Sequence, residues 1–118
     1  MYGVPADLPL SVFLNTTLIQ ICLGQYQIQF HFVPQGYISV EGRWELKDEK
    51  GERVDASQPH VERDSYRIHR IIGQDIVNFE IYPPSWFSLQ FKNGYSLVIY
   101  DDSKQYESFS IQPGDIFI

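Results

Sequence analysis

A spaced repetition of apolar residues constrains this 118-residue chain more than any other feature. Leu10, Phe13, Leu14, Asn15, Leu18, Ile19 and Ile21 stand 58 positions before Ile68, Ile71, Ile72, Gly73, Ile76, Val77 and Phe79. The interval then becomes 59: Ile28, Phe30 and Phe32 match Phe87, Leu89 and Phe91, and Ile38 and Val40 match Leu97 and Ile99. One extra residue in a hairpin loop accounts for the change. The break in each half falls on Asn15 or Gly73, residue types that readily take the left-handed conformation closing a helix. The pattern predicts a single domain over 1–118 with an internal pseudo-repeat, about 8–47 and 66–111.

Each half opens on a short helix. Pro9 suits a first helical position, with Leu10, Phe13 and Leu14 on one face. In the second half Asp64 or Ser65 is placed to cap, and Ile68, Ile71 and Ile72 share a face. Strands follow at about Thr17–Cys22, Tyr26–Phe32 and Tyr37–Gly42, then Ile76–Tyr82, Trp86–Phe91 and Ser96–Tyr100. The alternation of Ile28, Phe30 and Phe32 with Gln27, Gln29 and His31 marks a half-buried antiparallel strand. Pro34-Gln35-Gly36 and Lys92-Asn93-Gly94 supply turns, and Asn-Gly is a strong hairpin signal. A fourth strand is expected at the end of each half, Arg43–Lys47 and Tyr106–Ile111. Asp48 to Arg53 reads as a polar turn, and Asp55 to Asp64 as the connector between halves. No helix is long enough for a parallel crossover. The fold expected is mainly β: an antiparallel sandwich or flattened barrel of two similar meander halves, each preceded by a short helix.

Composition excludes several classes. The aromatic content of 15% argues against disorder. No apolar run reaches the roughly 18 residues of a membrane span, and Met1 to Leu10 does not read as a secretory signal. The one cysteine, Cys22, forms no internal disulfide and no cysteine-rich zinc site. A net charge of −6 disfavours sequence-independent nucleic-acid binding and suits a basic protein partner.

Asp101, Asp102 and Glu107 are close in sequence and could form an acid pair or a cation site, but no spaced run of oxygen ligands supports these, and a structural corner or a binding loop is the reading preferred. His31, His60 and His69 lack metal-ligand spacing, and no nucleophile elbow, phosphate loop or dinucleotide fingerprint occurs. Neither a cofactor nor a metal is expected, and the reading leans away from an enzyme. Arg63 to Arg70 is locally basic and reads as a solvated face. Tyr82, Trp86 and Phe87 around Pro83-Pro84, with Trp44, Tyr95, Tyr100 and Tyr106, predict an exposed aromatic cluster of the kind found at binding surfaces.

Three blocks carry a resemblance: Val40-Glu41-Gly42-Arg43-Trp44-Glu45-Leu46, Tyr66-Arg67-Ile68-His69-Arg70 and Tyr100-Asp101-Asp102-Ser103-Lys104-Gln105-Tyr106-Glu107-Ser108-Phe109. Together they resemble a family of small, uncharacterised bacterial proteins, from Tyr2-Gly3-Val4-Pro5 to Pro113-Gly114-Asp115-Ile116. The resemblance implies a bacterial, cytoplasmic protein and brings no catalytic residues. Size and acidity are similar to those of immunity proteins that neutralise toxins.

The function expected is therefore a non-catalytic protein-binding module, with an immunity protein against a basic bacterial toxin as the specific expectation. Trp44, Glu45, Tyr100, Asp101, Asp102, Tyr106 and Glu107 are its expected binding residues, with Glu41 adding to an acidic patch. A homodimer is the alternative, since Ile116-Phe117-Ile118 is apolar to the last residue. A small-ligand binder or enzyme with a cleft between the halves, using Glu107, Asp102 and His31, is the third reading.

Overall fold

The computed structural model describes residues 4, 6–24, 27–57, 65–101, 109–112 and 116–117. Among these are ten strands: β1 (Thr17–Leu23), β2 (Ile28–Val33), β3 (Tyr37–Val40), β4 (Trp44–Lys47), β5 (Arg53–Ala56), β6 (Ile76–Tyr82), β7 (Trp86–Phe91), β8 (Ser96–Tyr100), β9 (Phe109–Gln112) and β10 (Ile116–Phe117). They form two antiparallel sheets that pack as a sandwich, ordered β1-β2-β3-β9-β10 and β5-β4-β8-β7-β6. No described helix is long and apolar enough to cross a membrane.

The fourth strands depart from the simplest expectation. Each half contributes a three-stranded meander, but its next strand crosses to the other sheet. β4 pairs with β8, Trp44 opposite Ile99 and Leu46 opposite Leu97, while β9 pairs with β3. Each half therefore completes the sheet begun by the other. Loop length does not distinguish the two outcomes: the three-residue span 41–43 carries the chain to the facing sheet, whereas 34–36 and 83–85, equally long, close hairpins.

Hydrogen bonds across the seam between the halves repeat under an exchange of residues 58 apart. Asn15 N–H donates to the Ile76 carbonyl at 2.9 Å, and Gly73 N–H to the Leu18 carbonyl at 2.7 Å. Ile76 N–H donates to Thr16, and Leu18 N–H to Gln74, at 2.9 and 3.0 Å. Thr17 and Asp75 bridge at the centre, and the Thr17 hydroxyl donates to an Asp75 carboxylate oxygen. Asn15 (φ 67°) and Gly73 (φ 86°) both take the left-handed conformation expected from residue type. The strand irregularities also correspond, between Leu18 and Gln20 in β1 and between Ile76 and Asn78 in β6. Register accounts for the shift from 58 to 59. Leu23 pairs with Ile28 across four residues, whereas Ile81 pairs with Phe87 across five.

The helices are single 3-10 turns, Leu10–Phe13 and Ile68–Ile71, and this corrects their expected faces. Three residues per turn align i with i+3, so Leu10, Phe13, Ile68 and Ile71 are buried. Leu14 and Ile72, one step further, point outward at 36% and 44% exposure. Pro9 flanks its turn rather than starting it. Of the two residues expected to cap the second turn, Asp64 lies outside the described residues, and the cap that the structure shows comes from Asp55. Asp55 Oδ2 accepts from Arg67 N–H at 2.7 Å and Ile68 N–H at 2.8 Å. Asp55 belongs to β5, in what the sequence offered as connector. Arg53, Val54, Asp55 and Ala56 do alternate polar with apolar, but over only four residues beside a polar turn, the shortest run that can signal a strand.

Between the sheets Phe30, Ile38, Leu46, Phe87, Leu89, Leu97, Ile99 and Ile111 are fully buried, and Phe13 meets Phe32 at 5.0 Å between ring centroids. Apart from Leu46 and Ile111, these are positions of the repeated pattern, so burial of apolar area gives most of it its physical cause. At the Lys92-Asn93-Gly94 turn, Gly94 N–H donates to the Phe91 carbonyl and Gly94 takes φ 93°. This is a longer loop closed by a left-handed glycine rather than a two-residue Asn-Gly turn. A Cβ at Gly94 would meet the Glu49 Cβ at 2.8 Å, so glycine is required twice over.

Candidate docking face on the second sheet

Side-chain parity separates the two faces of the second sheet, although the centre of the outer face, at Ser88, Val98 and Glu45, is also buried. Phe87, Leu89, Leu97, Ile99, Trp44 and Leu46 point inward and are buried. Tyr82, Trp86 and Tyr100 therefore project outward, and register aligns them across β6, β7 and β8: Tyr82 opposite Trp86, and Trp86 opposite Tyr100. Directly opposed side chains lie within contact range for large rings. The Tyr82 and Trp86 rings stack nearly parallel, 5.3 Å apart with 5° between planes. At the far end the Arg43 guanidinium lies 4.0 Å over the Tyr100 ring centroid. An aromatic row thus runs from Arg43 at β4 to Tyr82 on the edge strand β6.

Glu45 anchors this row. It sits opposite Val98 on the outward face, with its side chain 12% exposed. The Tyr100 hydroxyl donates to Glu45 Oε1 at 2.8 Å. Arg43 approaches Oε2 at 3.7 Å and Arg53 at 3.4 Å. Burial pushes the Glu45 carboxyl up. The Tyr100 hydrogen bond, the Arg43 charge, the Arg53 hydrogen bond and the Lys47 charge together outweigh it and hold the group below the usual carboxylate range. Glu45 is thereby ionised at neutral pH and holds three side chains in place.

A lowered native pKa fixes a sign. The unfolded glutamate titrates near about pH 4.3, so the stabilisation by Glu45 is present above that value and is lost as pH falls through the lower folded value. The difference in urea midpoint between the wild type and Glu45→Gln should therefore be constant at neutral pH and shrink below about pH 4.3. Tyr100→Phe, which removes one hydrogen bond to the ionised form, should move that decline to higher pH. A difference that is flat from neutral pH to acid would exclude the arrangement.

The structure brings together two of the expected site residues, Glu45 and Tyr100. It also corrects their neighbours. Trp44 is 5% exposed and fills the core, because β4 parity turns it inward with Leu46. Glu45 is an ion-paired hub between arginines rather than part of an open acidic patch. Asp101 follows Tyr100, half-buried, with its N–H bonded to the Ser85 carbonyl at 2.9 Å. Asp102, Tyr106 and Glu107 lie outside the described residues, as do His60 and Arg63. His31 is on the outer face of the first sheet, stacked on Tyr37 at 5.2 Å and bonded to Gln29, and not in the space between sheets. His69 and Arg70 are exposed.

Arg43 and Arg53 were not among the expected site residues, and Tyr82 and Trp86 were expected in an exposed aromatic cluster but not in the binding set. Parity with Glu45 and Tyr100 could have recruited Arg43 and Trp86, given the hairpin register. Arg53 needed knowledge of β5.

The halves act as an internal control on this face. The core positions match in both because each sheet needs an apolar inner side. At the positions corresponding to Tyr82, Trp86 and Tyr100 the first half carries Gly24, Gln27 and Glu41. The same architecture therefore forms without the aromatic row. Comparison of the chain with family models, with curated proteins and with solved structures returned no match.

Proposed function

We propose that this chain is a non-catalytic protein-binding module whose partner seats on the outer face of the second sheet. One observation carries the reading: the row Arg43–Tyr100–Trp86–Tyr82 is outward, braced by Glu45, and lacks a counterpart in the equivalent half. Rigid aromatic and arginine side chains offer large contact area at low ordering cost, which is why they dominate binding energy at protein interfaces. Immunity against a basic bacterial toxin, in the cytoplasm of a bacterium, is the narrower form of this proposal. It is supported by the net charge of −6, which would steer a basic partner, and by a size and acidity similar to those of immunity proteins. The test is capture of the partner on tagged protein, its identification, and repetition with the purified pair. A basic partner, inhibited on binding, is the outcome expected; retention of full affinity after Trp86→Ala would remove this face.

A second reading is favoured by a separate patch. Leu14, Ile19, Ile72 and Val77 are 36–52% exposed and form two pairs 58 residues apart around the Thr17–Asp75 bridge. Exposed apolar side chains grouped around an approximate two-fold suit a second copy of the chain, and Asp75, the acid at their centre, is already bonded to Thr17. Sedimentation should then show a dimer that Ile19→Lys with Val77→Lys converts to monomer. A wild type that is monomeric at high concentration would remove this reading.

A further inference from the structure

The two ends of the aromatic row differ in one respect. At the inner end a guanidinium, a tyrosine ring and a carboxylate form a closed set: Arg43 lies 4.0 Å over Tyr100 and 3.7 Å from Glu45. At the outer end two of those three groups recur. Tyr82 is 60% exposed on an edge strand, with one ring face against Trp86. Glu80 stands two residues before it on the same outward side of β6, opposite Ser88, and is exposed. Two residues along a strand are about 7 Å apart, within the span of one long side chain. Among the described residues Glu80 makes no ion pair with a cation.

From this we infer that Tyr82 and Glu80 form an acceptor for an arginine side chain of the protein partner, which completes at the outer end the set that Arg43 completes at the inner end. The inference rests on the reading of this face as a docking surface and names the chemistry it selects. A planar guanidinium can lie on the open Tyr82 face and direct N–H groups toward the Glu80 carboxylate at the same time. A lysine ammonium is a compact charge and cannot stack in this way. Charge favours the assignment: a chain of net charge −6 attracts a basic surface, while Arg43 and Arg53 already occupy the Glu45 carboxylate and leave Glu80 as the acid of the row that has no ion pair among the described residues. The corresponding positions in the first half, Cys22 and Gly24, offer neither ring nor acid.

The test is titration of isotope-labelled full-length chain with a hexa-arginine peptide, followed by amide chemical shifts, with hexa-lysine as the matched-charge probe. Shifts should concentrate at residues 78–82 and 86–88, and hexa-lysine should bind at least about threefold more weakly. Glu80→Gln and Tyr82→Leu should each weaken hexa-arginine binding by a similar factor, Tyr82→Phe should retain it, and Glu52→Gln, which removes one exposed acid elsewhere, should leave it unchanged. Equal affinity for both peptides, equal loss in Glu52→Gln, shifts centred away from β6, or no binding would each overturn the inference. Trp86→Ala separates the two levels. If it abolishes partner binding while the peptide result fails, the docking face stands without the arginine acceptor. If it leaves partner binding intact, the docking face itself falls.

Discussion

Phe30→Ala is expected to lower unfolding stability by about 3–5 kcal/mol, and Leu89→Ala, at the equivalent position of the second half, by about 2–5 kcal/mol. Both side chains are fully buried between the sheets. Truncation removes the transfer free energy of the lost atoms and leaves a cavity that neighbours fill only in part. Domains of this size are typically stable by about 5–15 kcal/mol, so either variant loses a large fraction of the total. Chemical denaturation with an unchanged slope measures the effect. The outward residues should behave differently: Tyr82→Ala, and Gln27→Ala at the first-half position that corresponds to Trp86, should each stay within about 1 kcal/mol. A large loss on truncating Tyr82 would mean that the aromatic row is part of the folding core.

The second large effect concerns binding. Trp86→Ala should weaken the partner by at least about 30-fold, the loss expected when a central aromatic anchor contributes 2 kcal/mol or more. Trp86 stands between Tyr82 and Tyr100, so its removal breaks the row and unseats the Tyr82 ring stacked on it. Cooperative unfolding should persist, because the inward neighbours Phe87 and Leu89 remain. Calorimetry on the purified pair reads the affinity, and a thermal scan reads the fold. The ion-pair side of the row should matter less to stability: Arg43 and Arg53 are half or more exposed, where solvent weakens their attraction for Glu45.

The reach of the sequence follows from which forces are local. The strands Ile76–Tyr82, Trp86–Phe91 and Ser96–Tyr100 appear in the structure with the bounds read from alternation and turns. Period-two burial and left-handed glycine are local signals. Leu14 and Ile72 were misplaced because a four-residue segment gives too little sequence to tell a 3-10 turn from an α-helix. The exchange of β4 and β9 between sheets was not legible, since pairing across a sandwich depends on loop geometry rather than pattern. The same gap hid the site. Glu45 and Tyr100 were both singled out, but as separate members of an acidic and aromatic surface, and only register shows that they share a 2.8 Å hydrogen bond. Trp44 was drawn into the site by its residue type and excluded by its parity. The cap from Asp55 spans 12 residues of sequence, beyond any local capping pattern.

The central claim is that one sheet face binds and its counterpart only folds. Hydrogen exchange of the chain with and without its purified partner tests this most directly. Amides of β6, β7 and β8 around 80–88 and 98–101 should gain protection on binding, while β2 and β3, 28–33 and 37–40, should exchange as in the free chain. Protection gained on the first sheet alone, or evenly across both, would contradict the assignment of the aromatic row as the docking face.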